Sequence, residues 1–85
     1  MNFTVVWNPD TKNDLADIWI SAEDRAAITK AADVIDRLLR QNPFANSESR
    51  AGNSRIMIIS PLAVAYDVSE DDRLVTVWAV WKSTK

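Results

Sequence analysis

Between residues 54 and 81, apolar, β-branched and aromatic residues alternate or run together between short polar breaks. Residues 54–60 (Ser-Arg-Ile-Met-Ile-Ile-Ser) form one run, closed by Pro61, and residues 62–68 (Leu-Ala-Val-Ala-Tyr-Asp-Val) form a second. Ser69, Glu70, Asp71 and Asp72 make a polar turn before a third run over residues 73–81. Short runs of this composition, bounded by Pro or by Ser/Asp clusters, predict strands. Their short connections predict an antiparallel meander. Side chains alternate between faces along a strand. The wholly apolar sets, Ile56 with Ile58, and Val75 with Val77, Ala79 and Trp81, are assigned to the core. Arg55, Met57, Ile59, Leu74, Thr76, Trp78, Val80 and Lys82 then fall on an open face. A face carrying two cations, an indole and further apolar groups is the first place to look for function.

The preceding chain must cover the other face. Residues 2–7 predict a strand, with Phe3, Val5 and Trp7 on one side and Thr4 and Val6 on the other. Asp10 or Thr11 is placed to cap a helix over residues 12–20, whose apolar stripe is Leu15, Ile18 and Trp19. Ser21 is placed to cap a second helix over residues 22–41, with Glu23 and Asp24 in the favoured first turn. The stripe of this helix is Ala27, Ile28, Ala31, Ile35, Leu38 and Leu39, and most of its charges lie opposite. Asn42-Pro43 stops it. Alanines at 26, 27, 31 and 32 allow the two helices to approach closely as a hairpin on the sheet. Residues 44–53 read as a loop holding the only glycine, Gly52, and two chemically competent groups, Glu48 and Arg50. The predicted class is α+β, in the order β-α-α-β-β-β, with a helical hairpin on one face of a four-stranded antiparallel sheet.

Composition narrows the chemistry. With 85 residues, the chain allows a single domain, residues 1–85. No cysteine or histidine is present, which excludes disulfides, Cys/His zinc sites and histidine acid–base catalysis. Twelve acids against ten bases give a net charge of −2, which argues against tight non-specific nucleic-acid binding but permits a local basic patch. One glycine cannot build a Gly-rich phosphate loop. Asp67, Glu70, Asp71 and Asp72 lack the spacing of a calcium loop and read as a solvated turn. No metal and no cofactor is expected. Pro9 arrives too early for a signal peptide, and no apolar run is long enough to span a bilayer, so a cytoplasmic protein without a membrane partner is expected.

Several phrases, in order, resemble the RelE/ParE superfamily of toxins from type II toxin–antitoxin (plasmid-stabilisation) modules. They are Leu15-Ala-Asp-Ile-Trp19, then Ile35-Asp-Arg-Leu-Leu39 with Asn42-Pro43, then Arg50-x-Gly52 leading into Ser54-Arg-Ile56. Val64-Ala-Tyr-Asp-Val68 and Asp72-Arg-Leu-Val-Thr-Val-Trp78 complete the series. The resemblance covers nearly the whole chain and implies a cognate antitoxin as partner. It also implies one of two activities. One branch of the superfamily is a metal-independent endoribonuclease that cleaves ribosome-bound mRNA. The other inhibits DNA gyrase without nuclease chemistry, and an inactive binding module of the same fold belongs with that alternative. On the nuclease branch, Arg50 and Arg55 match the position of phosphate-clamping arginines, Glu48 that of a base, and Lys82 the end of the last strand, where Arg, His or Tyr is usual. The chain departs from that pattern in lacking His or Tyr in the tail after Trp81. Ordinary Lys and Arg titrate too far from neutrality to be good general acids. Met57, Ile59 and Trp78 on the open face are the residues expected to contact the antitoxin.

Overall fold

The computed structural model describes residues 2–50 and 52–83. Its elements are β1 (Thr4–Trp7), α1 (Pro9–Ser21), α2 (Arg25–Gln41), β2 (Ser47–Ser49), β3 (Ser54–Ile59), β4 (Leu62–Ser69) and β5 (Leu74–Lys82). The strands form one sheet in the order β1-β5-β4-β3-β2, with both helices on one face. The meander of β3, β4 and β5 is antiparallel, as its short turns predict.

The sheet differs from the predicted one in two respects. First, β1 joins β5 in parallel, with Val5 opposite Val75, so the sheet is mixed and not wholly antiparallel. The long helical connection lets the chain re-enter the sheet in either direction, which a tight turn does not. Second, the predicted loop contains β2, which pairs antiparallel with β3, Ser47 opposite Met57 and Ser49 opposite Arg55. This makes five strands where four were expected. The Ser-Glu-Ser segment has no strand character of its own and takes the free backbone groups along the β3 edge.

The helices start at other residues than predicted. α1 begins at Pro9 with Asn8 at the N-cap, and neither Asp10 nor Thr11 caps it. Proline suits this position, because its missing N–H would find no partner in a first turn. Thr11 is buried instead. α2 is capped by Asp24, which accepts the Ala27 N–H at 3.1 Å, whereas Ser21 ends α1. The stripe of α2 is the predicted one: Ile28, Ala31, Ile35 and Leu39 are buried against Val5, Met57, Val64, Tyr66, Val75 and Val77.

Two face assignments are corrected. In β3, Arg55 and Met57 lie opposite Tyr66 and Val64, so that Arg55, Met57 and Ile59 face the helices and Ile56 and Ile58 face away. Met57 is fully buried and Ile58 is 47% exposed. In β5 the register shifts: Val77 pairs with Tyr66 and Ala79 with Ala65, leaving Trp78 as an extra residue. This is a β-bulge, and alternation restarts beyond it. Trp78 faces outward as expected, but Val80 turns inward and Trp81 and Ala79 turn outward, the reverse of the expectation.

Candidate functional site

The four residues read as nuclease groups stand at three separate places. Arg55 lies on the helix side of β3, half-buried under the chain that leaves α2. Its Nε–H donates to Ser47 Oγ at 2.9 Å, and Nη2 donates to the Phe44 carbonyl at 3.3 Å. The guanidinium carbon stands 5.4 Å from the centre of the Phe44 ring, a cation–π distance. Beside it the Tyr66 hydroxyl donates to the Pro43 carbonyl. Burial raises the Tyr66 pKa above the usual 10, with Ser47 and Arg55 pulling weakly the other way. Together these contacts fasten the end of α2 and strand β2 to the sheet.

Glu48 and Arg50 form an exposed ion pair at 3.3 Å on the edge. Glu48 lies opposite Ile56, so its parity is that of the open face, while Arg55 projects from the other face. Lys82 lies opposite Leu62 and Arg55 opposite Tyr66. That is four residues along β4, about 13 Å. Lys82 also has the helix-side parity, not that of the open face. Phosphodiester cleavage needs cations and a proton acceptor converging on one phosphate, and these four side chains do not converge.

Of the residues expected to contact a partner, Trp78 is on the open face, whereas Met57 is in the core and Ile59 packs against it. Ile56, Ile58 and Trp81 take their place outside. Beneath them, Ala63 and Ala65 are buried without belonging to the helix-side core cluster. The signal for this floor is the parity of β4, which sets Ala63, Ala65 and Asp67 against Leu62, Val64, Tyr66 and Val68. Asp67 accepts hydrogen bonds from Ser54 Oγ and from Trp78 Nε1 at 3.2 Å. A second apolar groove opens between the helices, lined by Trp7, Leu15, Trp19 and Ile28. Among the described residues no cluster of three or more His, Cys, Asp or Glu is placed to hold a metal ion. No described helix is long and apolar enough to cross a membrane.

Fold and surface define an α+β protein with a two-helix layer on a mixed five-stranded sheet and an uncovered apolar face. No protein-family model matches the chain, and no curated protein matches it in sequence. Solved structures do. A chain of the RelBE2 toxin–antitoxin complex from Mycobacterium tuberculosis superimposes with a TM-score of 0.78 at 12% identity, covering 96% of this chain and 99% of that one. The archaeal RelE-RelB complex from Pyrococcus horikoshii gives 0.72 at 13% identity, covering 100% and 99%. The isolated Escherichia coli RelE toxin gives 0.69 at 12% identity, covering 98% and 86%. The chain has the RelE toxin fold over nearly its whole length.

Proposed function

We propose that this chain is the toxin component of a type II toxin–antitoxin pair, held by a cognate antitoxin in the cytoplasm, and that it acts by binding its target and not by cutting mRNA. The full-length likeness to RelE toxins, two of them from complexes with antitoxins, supports the first part. The dispersal of Glu48, Arg50, Arg55 and Lys82 carries the second. Arg55 is engaged by Ser47 and Phe44, and Arg50 by Glu48. The out-facing strand positions carry Asp67 and Glu48 but no cation to clamp a phosphate, among the described residues. DNA gyrase is the target that the non-cleaving branch implies.

The test is induced expression with growth recorded, followed by ribosome-dependent mRNA cleavage and gyrase supercoiling assays on the purified chain. Growth arrest and inhibited supercoiling with intact mRNA are expected. Ribosome-dependent cleavage would overturn the binding reading. Unimpaired growth at high soluble expression would reduce the protein to an inactive binding module of the same fold.

A further inference from the structure

The open sheet face is an apolar surface. Ala63 and Ala65 of β4 lie beneath it, 0% and 3% exposed. Ile58 and Trp81 flank Ala63, while Ile56 and Ala79 flank Ala65, with the bulged Trp78 beside them. Asp67 stands at one end of this surface. Its two bonds, from Ser54 and Trp78, both fall on Oδ1, and Oδ2 has no partner among the described residues. Trp78 is 47% exposed, Ile58 47% and Trp81 39%, which leaves a contiguous apolar surface facing solvent.

The occupant is constrained by hydrogen bonding and by charge. The backbone groups of β4 are already paired with β3 and β5 on both sides, so nothing lying over them can join the ladder. An extended segment would leave its own N–H and C=O groups unsatisfied over alanine and tryptophan. A helix satisfies its backbone internally and offers only side chains. A second copy of this chain would offer Asp67 a face whose strand positions carry no cation, among the described residues.

We propose that this face docks a basic amphipathic helix of a partner, its apolar row over Ile56, Ile58 and Trp81 and a Lys or Arg meeting Asp67. That the partner is the antitoxin rests on the toxin–antitoxin reading; the chemistry of the helix does not. From Ala63 to Asp67 is about 13 Å of strand, or roughly nine helical residues. The cation therefore follows the first apolar anchor by about two and a half turns. Apolar contact supplies affinity, and the ion pair fixes the direction of the helix.

The probes are two synthetic helical peptides with the same leucine row, one with lysines at the Asp67 end and a twin with glutamates there. Binding to the full chain is read by fluorescence anisotropy, and the chain's own oligomeric state by light scattering. The lysine peptide is expected to bind about tenfold or more tightly than its twin. Trp78→Ala weakens it, Asp67→Asn abolishes the preference, and Asp67→Lys reverses it. Asp67→Asn guards against misfolding of the charge reversal, since it keeps an oxygen that can accept from Ser54 and Trp78. Equal binding of the twins, indifference to Trp78→Ala, or a dimer that buries this face would overturn the proposal. Growth assays separate the two ideas: toxicity without charge-selective docking sinks the helix alone, and docking by a harmless protein sinks the toxin reading alone.

Discussion

Arg55 and Tyr66 face each other across β3 and β4, and both are committed to the chain leaving α2. Arg55→Ala removes the bonds to Ser47 and Phe44, at a cost of about 1–3 kcal/mol. A lower melting temperature is therefore expected. On the binding function proposed above, growth inhibition at matched soluble levels is expected to be unchanged, because the guanidinium is engaged by Ser47 and Phe44 on the helix side of the sheet. A hundredfold loss of toxicity with an unshifted melting curve would return Arg55 to a phosphate site. Tyr66 makes a separate prediction in pH. Burial raises its folded pKa above the unfolded value near 10. The folded state then holds the phenolic proton more tightly, so its contribution is complete below pH 10 and is lost as pH rises through the folded pKa. Tyr66→Phe is expected to cost about 1 kcal/mol at neutral pH through the lost Pro43 bond and to flatten the alkaline fall. Urea midpoints at neutral pH and above pH 10 check both effects.

At the scale of elements, what could be read from sequence depended on how different the two sides of each strand are. The stripe of α2 was legible because Ile28, Ala31, Ile35 and Leu39 stand against charged neighbours. In β3 both rows are largely apolar, Met57 and Ile59 on one side and Ile56 and Ile58 on the other, so parity alone could not choose. The register with Tyr66 and Val64 decides it. In β5 the parity argument holds as far as Trp78 and fails beyond, because a bulge leaves no mark in residue type. The candidate site suffered most, since Arg55 and Met57 went to the wrong face with their strand. Trp78 offers a direct check. Deleting it joins Val77 to Ala79 with ordinary alternation and leaves Val80 inward, so the sheet should survive. The expected cost is about 1 kcal/mol for the lost bond to Asp67, with circular dichroism and cooperative melting retained. If Trp78 were instead a regular position, Ala79 and Trp81 would be the inward residues, its deletion would turn both to solvent, and folding would collapse.

For the molecule as a whole, the two faces of the sheet differ: one makes the fold, and the other is left uncovered. Ile35 is fully buried at the centre of the helix–sheet core, and Ile58 is 47% exposed on the open face. An 85-residue chain has about 4–13 kcal/mol of stability at typical values per residue. Ile35→Ala should cost about 2–5 kcal/mol, because a closed core cannot collapse around the cavity. That is a large part of the total, and much of the variant should be insoluble or melt near growth temperature. Ile58→Ala removes similar atoms from a site where water already reaches the side chain, and its cost should stay near 0.5 kcal/mol. Its effect should appear in peptide binding, where the same atoms become buried. Urea denaturation of both variants, with anisotropy titration of Ile58→Ala, tests the division. A more damaging Ile58→Ala would contradict this division of the faces, and one that binds the lysine peptide like wild type would remove Ile58 from the docking surface.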